Sequence, residues 1–142
     1  MPRELVFLGP RKIGYREYDE RRLGPREIGV ETIYSAISHG TEMNLYRGTA
    51  AQLKRSISED KLFTDGEPFY KYPVCFGYEE VGRVTAVGPS VEGFSTGDVV
   101  TTAYGHRETA VMNVDTTAYL NVVPSSMKME QAVFQSLGSV AL

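Results

Sequence analysis

A chain of 142 residues, 42% hydrophobic and 23% charged, has the length of one domain and enough apolar material for a sizeable core. Its 15 Lys and Arg against 18 Asp and Glu give a formal net charge of -3 with no basic run, which argues against nucleic acid as a partner. The one cysteine, Cys75, excludes an internal disulfide and a four-cysteine zinc lobe. Apolar runs are too short to span a bilayer and Met1-Pro2-Arg3-Glu4 opens no secretory signal, so a soluble cytoplasmic protein is the expectation.

Fourteen glycines and seven prolines cut the chain into short pieces, several rich in Val, Ile, Thr and Tyr. Residues 5–8 read as a strand that stops at Gly9-Pro10. Ile28, Val30, Thr32, Tyr34 and Ala36 recur at spacing two, which predicts a long half-buried strand over residues 27–37. Residues 41–47 read as a short helix capped by Thr41 and stopped by Gly48, with 50–55 as an extension. Residues 56–73 are polar and aperiodic, and read as a long surface loop or lid. Strands follow over residues 81–87, 99–103, 108–114 and 119–123. Many short strands at near-regular spacing predict a closed or partly open β-barrel, or a sandwich. From Pro124-Ser125-Ser126 a helix is expected, with Met129, Val133, Leu137 and Val140 as its apolar stripe. It runs to Leu142 with no terminator, the pattern of a chain that continues; a frayed natural end is the alternative.

Three stretches carry the chemical information: Ser35-Ala36-Ile37-Ser38-His39-Gly40-Thr41-Glu42, then Phe76-Gly77-Tyr78-Glu79-Glu80-Val81-Gly82-Arg83-Val84 with Val87-Gly88 and Phe94-Ser95-Thr96-Gly97-Asp98-Val99-Val100, then residues 132–142. In order and spacing they resemble the N-terminal GroES-like catalytic domain of the medium-chain dehydrogenase/reductase superfamily, with tyrosine in the histidine place of its G-H-E-x-x-G-x-V pattern. The resemblance implies a mainly β, partly open GroES-like barrel with short helices over residues 1–124. It makes residues 125–142 the start of a helix leading to an absent Rossmann domain. It also extends to a narrower group that includes the dehydrogenase oxidising a hydroxyethyl group in bacteriochlorophyll synthesis.

Zinc-dependent members of that superfamily hold their metal through cysteine, histidine and glutamate. The cysteine place falls on Ser38 or His39, the histidine place on Tyr78, the first glutamate on Glu79 and the second on Gln135. A serine, a tyrosine and an amide do not make a soft three-ligand site, so the resemblance implies a zinc-free branch. A positioned hydrogen-bond donor is then needed in the metal's stead, worth roughly 10²–10⁴-fold in rate. Tyr78 is the natural donor, against the alternative of a packed tyrosine. Thr41 matches the family's relay hydroxyl, against a plain helix cap, and Ser38 offers a second hydroxyl. Glu79 is either the inward carboxylate or the partner of a nearby Arg or Lys; Glu80, next to it on a strand, faces the other side, toward solvent or a basic neighbour. His39, Tyr46 and Gln135 are expected to line the substrate cleft; His106 reads as structural and Cys75 as a small buried hydrophobe.

The implied function is the substrate-binding catalytic domain of an NAD- or NADP-dependent oxidoreductase. It would transfer hydride between the nicotinamide and an alcohol, ketone or activated carbonyl, acting on a small molecule as a homodimer. No G-x-G-x-x-G occurs in the chain, so the cofactor would be bound mainly by the missing domain. Two alternatives remain open: a zinc-dependent alcohol dehydrogenase domain, and a stand-alone β-barrel interaction module whose mobile loop is residues 56–73.

Overall fold

The structure, a computed structural model, describes residues 1–141 and all their side chains but that of Val140. Leu142, the last residue of the expected helix, lies outside the described residues. The chain starts with a hairpin, β1 (Arg3–Gly9) and β2 (Lys12–Glu17). Then come β3 (Glu27–Ser35), α1 (Thr41–Arg47), a 3-10 turn over Ala51–Leu53, and the two-residue strands β4 (Ser56–Ile57) and β5 (Phe63–Thr64). Next are β6 (Glu80–Val87), β7 (Val99–Thr102), β8 (Thr109–Asn113) and β9 (Asn121–Val122), and finally α2 (Met129–Ala132) and α3 (Gln135–Val140).

The fold is mainly β with short helices, as expected. Its centre is an antiparallel five-stranded sheet in the order β8-β3-β6-β7-β9, open at both ends rather than closed into a barrel. The β1-β2 hairpin is fastened to it by bridges from Glu4 to Arg107 and from Phe7 to Val74. Buried Glu4 pins this junction, taking Arg16 on one oxygen and Arg107 on the other. Burial pushes its carboxyl up, but the guanidiniums outweigh that and hold it below the usual range.

One core cluster lies within the sheet, on Ile28, Val30, Val84, Val100, Ala110 and Met112. A second joins Phe7 to Leu45 of α1, with Tyr70, Tyr72 and Phe76 against it. A third, Val81 with Ala132 and Val133, docks the terminal helices onto the sheet. In β3 the pairing with β6 shifts register between Thr32 and Tyr34. The spacing-two pattern loses phase there, the strand stops at Ser35 rather than residue 37, and Tyr34 is exposed.

Other expectations need correction. Residues 56–73 are not a structureless lid: they hold the β4-β5 ladder and place Tyr70 and Tyr72 in the second core cluster. The strand expected over 119–123 shrinks to Asn121–Val122. The terminal helix begins at Met129, after a turn in which Met127 N–H meets Pro124 C=O. It breaks at Phe134, so Ala132, Val133 and Ser136 are buried while Leu137 is exposed. Among the described residues no helix is long and apolar enough to cross a membrane.

Helix α1 ends at Gly48, whose φ of 74° lets its N–H turn back to Leu45 C=O. At its start the cap position is Gly40, and Thr41 is the first helical residue, with no capping bond from its side chain. Thr41→Ala is therefore expected to change stability by less than about 0.5 kcal/mol, where a lost cap would cost ~1 kcal/mol. Urea denaturation of the two proteins checks this.

Candidate active site

Ser38 lies in the turn from β3 to α1, and Tyr78 in the extended approach to β6. The Tyr78 hydroxyl donates to Ser38 Oγ at 2.7 Å, across 40 residues of chain. Ser38 is buried, Tyr78 half-buried and set edge-to-face on Phe76. Ser38 N–H donates in turn to Glu42 Oε1 at 3.1 Å. Glu42 sits in the first turn of α1 and is fully buried, so this hydrogen bond fixes the backbone that carries the Ser38 hydroxyl.

The other oxygen of Glu42 meets His106 Nε2 at 2.6 Å, and His106 Nδ1 is hydrogen-bonded to Ser35 Oγ. Glu80 closes this cluster, with Oε1 4.0 Å from His106 Nδ1. Sequence reasoning took His106 as structural and did not single out Glu42 as a site residue. The contact joins residues 64 apart, so no spacing announces it. The one available signal was a glutamate opening a helix directly after the strand end.

Glu79 and Glu80 do face opposite sides, but both sides are covered and each residue is 1% exposed. Glu79 Oε1 accepts Leu137 N–H at 2.8 Å and Glu80 Oε2 accepts Tyr104 N–H at 3.2 Å. The second oxygen of each has no hydrogen-bond partner. Glu79 holds no Arg or Lys in this arrangement, a correction to that alternative; Glu80 does not reach solvent but has the basic ring of His106 as its neighbour. Burial pushes the Glu79 carboxyl up; the Leu137 N–H opposes this, and the Glu42 charge adds to it. Burial pushes Glu80 up to about 7, against the pull of the Tyr104 N–H and His106.

The structure thus brings Ser38 and Tyr78 together, with Glu79 next in the chain. Gln135 opens α3, the helix whose Leu137 N–H meets Glu79. Its Oε1 takes the Thr101 hydroxyl at the edge of a separate cavity of about 470 Å³, bounded by Val123, Met127 and Phe134. His39 and Thr41 are exposed. Tyr46 packs on the Phe7–Leu45 cluster while its carbonyl accepts Arg11 N–H. Cys75 is partly buried beside Arg107, and burial pushes its thiol up. Among the described residues no three His, Cys, Asp or Glu side chains group as metal ligands.

Residues 24–123 match the alcohol dehydrogenase GroES-like domain family. Cinnamyl alcohol dehydrogenase 2 of Oryza sativa subsp. japonica is 34% identical over 83 residues, 58% of this chain and 18% of that protein. The 2-desacetyl-2-hydroxyethyl bacteriochlorophyllide A dehydrogenase of Cereibacter sphaeroides is 31% identical over 96 residues, 68% of this chain and 26% of that protein. The chain therefore spans about a fifth to a quarter of the length of these relatives. In fold it is similar to the Escherichia coli quinone oxidoreductase complexed with NADPH, with a TM-score of 0.62 and 18% identity over 94% of this chain and 36% of that one.

Proposed function

Because the chain belongs to the alcohol dehydrogenase GroES-like domain family, we propose that it is the substrate-binding part of an NAD(P)-dependent oxidoreductase that works without a catalytic zinc. Residues 1–124 form the substrate domain in this reading, and 125–142 begin the connection to a nucleotide-binding domain. The substrate is an alcohol, a ketone or an activated carbonyl. The resemblance implies a homodimer in the cytoplasm, and the net charge of -3 fits a small-molecule partner better than nucleic acid.

The observation that carries this reading is the Tyr78–Ser38 hydrogen bond, between two residues that the motif resemblance matches to zinc-ligand positions of zinc-dependent relatives. These donors fit zinc poorly: two neutral hydroxyls already bonded to each other, a carboxylate engaged by a peptide N–H, and an amide engaged by Thr101. They do suit hydrogen-bond catalysis. The nicotinamide would supply or accept the hydride. Ser38 Oγ accepts a hydrogen bond from Tyr78 and keeps its own hydrogen to direct at a substrate oxygen, and Tyr78 strengthens that donor through the shared bond. Glu42 holds the Ser38 backbone so that the donor is already oriented.

The test uses the full-length enzyme with a panel of alcohols and ketones. Tyr78→Phe should lower kcat about 10- to 100-fold with KM changed less than about twofold, as for a group acting in the transition state. Chelator treatment should leave the rate unchanged. Stoichiometric zinc, with activity lost on its removal, would overturn the zinc-free reading.

A further inference from the structure

Ser35, His106 and Glu42 form a second set of reactive side chains that hydride transfer does not use as a unit. They come from three elements: Ser35 ends β3, Glu42 opens α1, and His106 lies in the segment before β8. Glu42 is fully buried, with one oxygen on Ser38 N–H and the other 2.6 Å from His106 Nε2. A carboxylate in that position selects the Nε2–H tautomer of a neutral imidazole. The lone pair of Nδ1 is then free for the hydroxyl of Ser35, with which it is hydrogen-bonded. Glu80 Oε1, without a hydrogen-bond partner, lies 4.0 Å from Nδ1, close to where an imidazolium would form.

The arrangement has access to solvent. Ser35 is exposed, and with His106 it lines an open groove of about 610 Å³ on the sheet side of the β1-β2 hairpin. Leu5, Tyr15 and Ile37 give the groove apolar surface. Arg3 and Arg107 line it together with Glu31 and Glu108, so the charges of the lining balance, and Arg3 pairs directly with Glu108. An uncharged ligand therefore suits it better than an anion.

We propose that Ser35 is an acyl-accepting nucleophile, His106 its general base and Glu42 the positioning carboxylate, and that the groove takes short uncharged carboxylic esters. Ser35 Oγ bonds to the ester carbonyl carbon while its proton passes to His106 Nδ1. The carbon–oxygen bond to the alcohol breaks, and the alcohol leaves with that proton. Water then adds to the acyl-serine through the same base, releasing a carboxylic acid and restoring Ser35. Nothing is oxidised or reduced, so the activity stands or falls independently of the oxidoreductase reading.

The experiment treats the full-length protein with an uncharged alkyl fluorophosphonate and, separately, with p-nitrophenyl butyrate. The folded protein should carry one phosphonyl group on Ser35 by peptide mass spectrometry, and urea-unfolded protein none. Ser35→Ala should remove both the adduct and the ester hydrolysis. His106→Asn and Glu42→Gln should each slow labelling at least tenfold. Ring ¹⁵N shifts should show the Nε2–H tautomer of His106 in the wild type and a mixture in Glu42→Gln, with the labelling rate falling in step with the loss of that tautomer. An unlabelled Ser35 in the wild type, under conditions that saturate a known serine esterase, overturns the proposal whether or not the variants fold. Labelling at an unchanged rate in folded His106→Asn overturns it as well.

Discussion

Gly88→Ala is expected to destabilise the domain by about 3 kcal/mol or more, at the upper end for a single added methyl group. A Cβ at Gly88 would stand 2.4 Å from Gly24 O, 2.5 Å from Pro25 O and 2.8 Å from the Pro25 carbonyl carbon. All three are backbone atoms, so no rotamer change makes room. The neighbourhood is also pinned: Gly88 N–H donates to Glu27 C=O at 2.8 Å and Ser90 N–H to Pro25 C=O at 2.9 Å. Relief requires moving the turn that feeds β3 or losing the bonds that close β6 against it. Urea unfolding should show a lower midpoint at an unchanged slope. A loss below about 1 kcal/mol would mean that the turn yields cheaply and that the packing argument is wrong.

The second large effect is electrostatic. Glu80→Gln is expected to stabilise the protein by about 2–3 kcal/mol at pH 8 and to have little effect near pH 4.5. Burial raises the folded-state value of Glu80 from 4.5 to about 7. Between those values the folded protein holds a proton that the unfolded chain has released, so this group's contribution falls as pH rises through the interval and is flat above it. Each tenfold change in acid strength is about 1.4 kcal/mol, so the full difference is about 3 kcal/mol. Glutamine keeps an acceptor for Tyr104 N–H, at 3.2 Å from Glu80 in the native protein, and carries no charge to desolvate. Unfolding curves at pH 5 and pH 8 decide it: a gap between the two proteins that does not widen with pH would mean that the carboxylate is better solvated than its 1% exposure indicates.

Those two residues also show what the chain discloses before it is folded. Gly82 and Gly88 stand in the motif stretches quoted from the sequence, where glycines mark close approaches and turns. The structure gives a close-approach reason for both, a Cβ on Gly82 coming within 2.8 Å of the Glu31 carbonyl oxygen and 2.3 Å of Val30 Cγ1. The main strands were legible because one face of each is dry, as in the shared cluster of Ile28, Val30, Val84, Val100, Ala110 and Met112. β2 was missed for the converse reason: Ile13 and Tyr15 are both exposed, so the strand has no buried face to impose a period. At Glu79 and Glu80 strand alternation gave opposite sides correctly. It carried no information on which side is wet, and here neither is. The Tyr78–Ser38 pairing could be anticipated from motif resemblance alone, and the Glu42–His106 contact not at all, because side chains that meet across 64 residues leave no local trace.

One bond described above has a mechanical meaning. Glu79 stands beside Tyr78 in the chain and holds Leu137 N–H at 2.8 Å, joining α3 to the wall that carries the tyrosine. Shifting α3 by an ångström or so must either strip a buried carboxylate of its one partner or pull on the peptide next to the phenol. Whatever leans on α3 therefore has a lever whose short arm ends at the Tyr78–Ser38 hydroxyl pair.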